Sequence, residues 1–290
     1  VFLANLLIAL REGFEASLIV GILVACLVKA DRRDVFPRLW LGVGLAALFP
    51  LAIGAALTWG PKTLTFQAQE IIGGGLSLVA VAMVTWMIFW MGRHSGGLKQ
   101  ELESSTRRSL VERSSGWGMV GIAVLAVGRE GVETALFIWA TVRSSIETNA
   151  VATTAGVVSG LLLALLLGHL VYRGARTIDL RRFFSVTSCF LILVAAGICS
   201  YGVGDLQEAG VLPGVMNHAW DLSGSLPAAG SPLFWLYVLG QAIFQVNLQP
   251  TILQVIAWVA YFVPVAALYA YRSGIVRRAP SETVPAAKPH

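Results

Sequence analysis

Charge is what this chain has least of. Only 13% of its 290 residues are Asp, Glu, Lys or Arg, about half of what a water-facing surface carries in soluble domains. That scarcity excludes an ordinary soluble fold. With 56% hydrophobic residues and a mean hydropathy of +0.74, most of the surface is expected to face lipid. Cysteine is scarcer still: Cys26, Cys189 and Cys199 lie inside apolar runs with no CxxC spacing, which excludes a disulfide framework and a thiolate zinc site. A lone His169 within the apolar runs cannot supply two axial haem ligands, so electron transfer across the membrane is excluded. No GxxxxGK[ST] signature is present, which argues against ATP-driven transport by this chain alone. The net charge of +5 does not mark a nucleic-acid partner, because the basic residues sit in short loops between apolar runs.

Those runs number seven: Val1–Val28, Val35–Trp59, Glu70–Met91, Trp117–Val142, Val151–Tyr172, Phe183–Val203 and Thr251–Tyr271. Each meets the length of about 20 residues that a helix needs to cross hydrocarbon. The first is read as a retained span rather than a signal peptide, since no small-residue cleavage site follows it. Loop charge sets the orientation. An N-terminus outside and a C-terminus inside places 17 of the 21 basic residues on the inner side, and only Lys62 and Arg143 outside. The chain then divides into a first three-helix repeat (1–91), an inner amphipathic loop (92–116) and a second three-helix repeat (117–203). There follow an outer acidic loop (204–250) with a re-entrant or interfacial stretch at 232–244, a seventh span (251–271) and a basic tail (272–290). Trp40, Trp59, Trp86, Trp90 and Trp117 fit interfacial belts.

The repeat rests on a motif. Arg11-Glu12-Gly13-Phe14-Glu15 recurs 118 residues later as Arg129-Glu130-Gly131-Val132-Glu133. The copies fall in spans one and four, and an odd number of crossings reverses the direction of threading. The expected architecture is therefore an all-α polytopic membrane protein with a 3+3 inverted repeat and one appended helix, in which binding sites lie near the midplane between repeats.

Each motif lies ten or more residues into its span, roughly 15 Å at the helical rise, where an ionisable group costs at least about 2.5–3.5 kcal/mol. Arg11, Glu12 and Glu15 project from one face, since they stand three or four residues apart or adjacent. Bringing the copies together gathers four carboxylates and two guanidinium groups, with a formal charge of −2 if all are ionised. Carboxylate oxygens suit hard cations. The residues therefore select Glu12, Glu15, Glu130 and Glu133 as cation ligands and Arg11 and Arg129 as the groups that organise them. Glu70, which opens span three, is either a solvated helix-start acid or an entry ligand. Asp205, Glu208 and Asp221 form either an acidic vestibule or a solvated loop.

With these residues the chain resembles the ferric iron permease family, the oxidase-dependent iron transporters of fungi and their bacterial counterparts. That family carries Arg-Glu-Gly-x-Glu in spans one and four of seven. Similarity extends to Thr85-Trp86-Met87-Ile88-Phe89-Trp90-Met91 and to Gln207-Glu208-Ala209-Gly210. One departure is visible: many members carry Glu-x-x-Glu-Gly where this chain has Glu70 followed by Gly73 and Gly74. The resemblance implies a permease rather than an enzyme, importing iron, ferric in the first instance, across a bacterial inner membrane. It implies no resident cofactor, iron being the cargo, and a periplasmic iron-binding or iron-oxidising partner. Two other readings of the carboxylates stay open: passage of another heavy-metal cation such as lead, and proton-coupled cation exchange.

Overall fold

A computed structural model describes residues 2–60, 64–94, 117–143, 150–173, 180–221 and 249–273. These form seven long helices: α1 (Phe2–Lys29), α2 (Phe36–Trp59, entered through a 3₁₀ turn at Arg33–Val35), α3 (Phe66–His94), α4 (Trp117–Arg143), α5 (Ala150–Tyr172), α6 (Leu180–Glu208) and α7 (Ile252–Arg272). Among the described residues the one β-type pairing is a single antiparallel bridge between His218 and Thr251. Of the loop expected at 92–116, the first three residues belong to α3, and residues 95–116, the stretch at 232–244 and the tail beyond Ser273 lie outside the described residues.

Five helices, α2, α3, α5, α6 and α7, are long and apolar enough to cross a membrane. α1 and α4 match them in length, but each carries the charged motif in its interior. Two boundaries differ most from expectation. α3 starts at Phe66, a turn before Glu70, and α6 continues to Glu208 instead of ending at Val203. Asp205 and Glu208 therefore belong to a helix, and the loop that follows begins only at Ala209. The physical reason is that the Asp205 carboxylate is paired with Arg143, so the helix can carry it.

The packing is criss-crossed. α1 lies along α5 and α4 lies along α2, while α1 meets α4 and α3 meets α6 at the centre; α7 leans on α6. Small residues make these approaches. A side chain at Gly160 of α5 would run into the Leu6 carbonyl and Ala9 of α1, and one at Gly42 of α2 would sit 2.9 Å from the Ala123 Cβ of α4. A Cβ at Gly74 would sit 2.7 Å from the Gly202 carbonyl, so its absence lets α3 come against α6. Close backbone approach replaces the hydrophobic drive that lipid does not supply. α2 and α5 keep large apolar faces exposed, including Trp40, Leu48 and Phe49 on one and Leu162, Leu165 and Leu166 on the other. Such faces are what lipid covers.

Two apolar clusters form the core. One joins Ile8 of α1 to Val84 and Met87 of α3, Phe137 of α4 and Leu191 and Ile198 of α6. The other joins Ile19, Leu23 and Leu27 of α1 to Leu39 of α2 and Ala123 of α4. Along α1 the buried stripe reads Ile8, Glu12, Glu15, Ile19, Leu23, so the acids occupy the gap between the clusters. The start of α7 is clamped separately. Thr251 and Gln254 form a reciprocal capping box, and the Thr251 hydroxyl also donates to the Gln207 Oε1 of α6 at 2.6 Å. Gly210, at φ +75°, makes the turn out of α6 that allows this.

The α1–α5 contact yields a direct expectation. Gly160→Ala places a methyl group against backbone that cannot move aside, and should destabilise the protein by about 1–3 kcal/mol, read as a lowered thermal midpoint in detergent. Gly44→Ala, whose added methyl meets nothing within 4 Å, should leave that midpoint unchanged.

Candidate metal centre between α1 and α4

The two motifs face one another. Glu12 of α1 and Glu130 and Glu133 of α4 each offer a carboxylate oxygen, and these oxygens all lie within 4.8 Å of one another. Helix geometry puts them there. Glu12 and Glu15 stand three residues apart on the buried stripe of α1, as Glu130 and Glu133 do on α4, and α1 and α4 are in direct contact. The glycine of each motif seats the helix on the other repeat. Gly13 rests against Leu161 and Ala164 of α5, and Gly131 against the Pro50 ring of α2, which a Cβ at 131 would approach to 2.8 Å.

Each motif makes the same internal ion pair. Arg11 Nε donates to Glu15 Oε1 at 3.1 Å, and Arg129 Nε donates to Glu133 Oε1 at 3.0 Å. The two arginines are otherwise unlike. The Arg11 side chain is fully buried, whereas that of Arg129 is 44% exposed. Arg11 turns a second nitrogen to the Met87 sulfur of α3 at 2.8 Å, and Arg129 lies over the Trp90 ring, 4.9 Å from its centroid. Trp90 thus supports a cation, whereas Trp40, Trp59, Trp86 and Trp117 stay exposed as a belt requires.

The pairs leave acceptors over. Both carboxylate oxygens of Glu12 are buried with no hydrogen-bond partner, as are Glu130 Oε2 and Glu133 Oε2. An unpartnered buried carboxylate is among the most expensive groups a protein can hold. Three acids crowded this closely repel one another unless a proton or a metal ion stands between them. Oxygens of this kind, oriented inward and otherwise unused, are the donor set for a hard cation. Glu15 is tied to Arg11 and flanks the group, within electrostatic reach of Glu133 and Arg129.

The candidate entry acids sort differently. Glu70 of α3 and Asp205 of α6 converge on one guanidinium: Arg143 Nη2 donates to Glu70 Oε2 at 2.9 Å and Arg143 Nε to Asp205 Oδ2 at 3.0 Å. Neither is a solvated acid, as one reading of the sequence had it. Glu208, one turn beyond Asp205, is exposed, and Asp221 lies at the surface past the turn out of α6. The sequence alone did not single out Arg143 or Met87. Arg143 was legible as one of only two basic residues on its side of the chain, and Met87 lay inside the Thr85–Met91 segment. Asn5 and Ser77 were also passed over. Both are wholly buried with unpartnered polar atoms, Asn5 two turns before Glu12 and Ser77 two turns after Glu70.

Comparison with known proteins gives the family. The model of the Iron permease FTR1 family matches residues 2–276. A protein named "Ferrous iron permease EfeU" from Yersinia pestis is 32% identical over 264 residues, 91% of each chain. Proteins of the same name from Shigella sonnei (31% over 265 residues, 91% of this chain and 94% of the relative) and from an Escherichia coli O6:H1 strain (32% over 259 residues, 89% and 91%) are similar. No solved structure matches. A multi-pass helical bundle with two facing Arg-Glu-Gly-x-Glu motifs, matched over almost its whole length, belongs to the iron permease FTR1 family.

Proposed function

We propose that this protein moves iron across the cytoplasmic membrane through the centre formed by Glu12, Glu15, Glu130 and Glu133, with Arg11 and Arg129 holding the acids in place while no ion is bound. The single observation that carries this reading is the set of unpartnered carboxylate oxygens between α1 and α4. A structural ion-pair role accounts for Arg11–Glu15 and Arg129–Glu133 but leaves Glu12 and Glu130 buried for nothing. An incoming cation supplies what they lack. Four carboxylates against two guanidinium groups leave two negative charges, which a divalent ion cancels. The relatives are named for ferrous iron, and ferrous iron is accordingly the form proposed here, in place of the ferric form that the first resemblance implied.

Apolar clusters flank the acids on either side along α1, and a site between repeats is where an alternating-access carrier binds its cargo. The neighbour relations support an inverted repeat as well. Exchanging α1, α2 and α3 for α4, α5 and α6 turns the α1–α5 contact into the α4–α2 contact and returns α1–α4 and α3–α6 to themselves. In this reading seven helices span an inner membrane with the N-terminus outside. Glu70, Asp205 and Arg143 then stand at the outer end and the basic loops inside. A periplasmic iron-binding or iron-oxidising protein would deliver the ion there.

Three measurements test this. Radio-iron uptake into proteoliposomes, with ascorbate to hold iron ferrous, should fall in Glu12→Gln and in Glu130→Gln by at least about tenfold, the lower end of what a metal site loses with even a supporting hydrogen bond. Unchanged uptake in both would overturn the proposal, and lost proton movement beside unchanged iron flux would mark an exchanger. Arg11→Gln should cost about 3–5 kcal/mol of stability, since it strands a buried carboxylate; Arg129→Gln, at a half-exposed position, should cost clearly less. In intact cells, a cysteine placed at Lys62 should react with an impermeant maleimide and one placed at Arg278 should not. The reverse pattern would invert the proposed orientation.

A further inference from the structure

The end of the bundle where α3 begins and α4 and α6 finish is closed by a cation of the protein's own. Arg143 spans the two acids there, reaching Glu70 on α3 and Asp205 on α6, and a third, longer bond runs from Nη2 to the Gln69 carbonyl at 3.4 Å. The side chains are 21%, 13% and 4% exposed respectively for Arg143, Glu70 and Asp205. This is a partly buried three-helix tie rather than a surface pair of the kind that contributes little. Arg143 lies ten residues beyond Glu133 on the same helix, about 15 Å along its axis, so the tie and the carboxylate centre are mounted on one rigid rod.

Glycine at position 73 is what admits it. A Cβ built on Gly73 would collide with the Arg143 Cζ, Nε and Nη2 atoms. The guanidinium therefore fills the space a side chain at 73 would take, and it is held against the helix one turn above Glu70. Gly74 completes the fit by letting α3 approach α6 at Gly202, which sets Glu70 and Asp205 on either side of the arginine. The face of the Trp139 ring, 5.8 Å from the Arg143 Cζ, backs the charge from its own helix.

We propose that Arg143 is a tethered counter-cation that closes the Glu70–Asp205 mouth, that a metal ion entering from this side must displace it, and that Gly73 is the position that seats it. Arg143 is then a specificity-determining residue. An ion must compete with a guanidinium for the same two carboxylates, so a weakly charged competitor fails and a divalent ion succeeds. The proposal rests on the transport reading above, since without passage of an ion the tie has nothing to gate.

Two variants open the mouth by different routes. Arg143→Gln removes the charge. Gly73→Ala keeps the charge and evicts the guanidinium, at little structural cost because what must move is the free end of a flexible side chain. In proteoliposomes supplied with ferrous iron, both should lower the KM for uptake by about fivefold or more, as expected when a closed population no longer competes with binding; Arg143→Lys should fall between them and the intact protein. A second readout does not depend on transport: coupling of glycine ethyl ester by a water-soluble carbodiimide, mapped by mass spectrometry. Labelling of Glu70 and Asp205 should be low in the intact protein and raised in Arg143→Gln and Gly73→Ala. Unchanged labelling would overturn the gate. Raised labelling with an unchanged KM would reduce Arg143 to a structural tie, and so would a loss of thermal stability alone. If the intact protein carries no iron while Glu12→Gln behaves identically, the transport reading falls, and labelling alone then decides whether Arg143 shields the mouth.

Discussion

Everything in this fold answers to one costly fact: carboxylates stand midway along two apolar helices, and one of them, Glu12, has no partner at either oxygen. A bilayer offers no water to relieve such a group. The protein spends an arginine on each motif, yet each arginine is turned along its own helix to the far glutamate. The near glutamates are left facing one another across the α1–α4 contact. A bundle selected for stability alone would have paired them or replaced them with leucine. The arrangement makes sense when the missing partner comes and goes.

The rest of the structure is what holds that arrangement in register. Glycines at 13 and 131 let each motif settle on a helix of the other half, and apolar clusters flank it along α1 on both sides. The symmetry is incomplete, and the differences are chemical. Arg11 is sealed in and anchored on a thioether; Arg129 is half exposed and anchored on an indole face. The two halves of the centre therefore differ in how freely their arginine can move.

Much of this was legible in the chain itself, for a physical reason. Charge in a lipid environment is so expensive that six ionisable residues, three in each motif, pointed to the candidate site and its two helices, and the same scarcity marked out the seven helical runs, although the helix expected to end at Val203 continues five residues further. What was not legible were partnerships across helices. Asp205 looked like a loop acid because nothing in the sequence says that Arg143, sixty-two residues earlier, will meet it. Glycine at 73 read as a missing ligand, whereas its space is taken by that same arginine. Met87 and Trp90 belonged to a recognisable segment, but their roles as rests for Arg11 and Arg129 depend on where α3 crosses the centre. Helix spacing describes one helix at a time; these contacts belong to pairs.

Pro50 has a mechanical consequence. A proline in a helix interior cannot donate to the carbonyl four residues back, here that of Ala46, so α2 bends there more easily than anywhere else along its length. Its ring bears on Gly131, between the two glutamates of the second motif, with no side chain to cushion the contact. Flexing α2 at that joint pushes directly on the backbone that carries Glu130 and Glu133. A peripheral, lipid-facing helix is thereby coupled to the spacing of the acids.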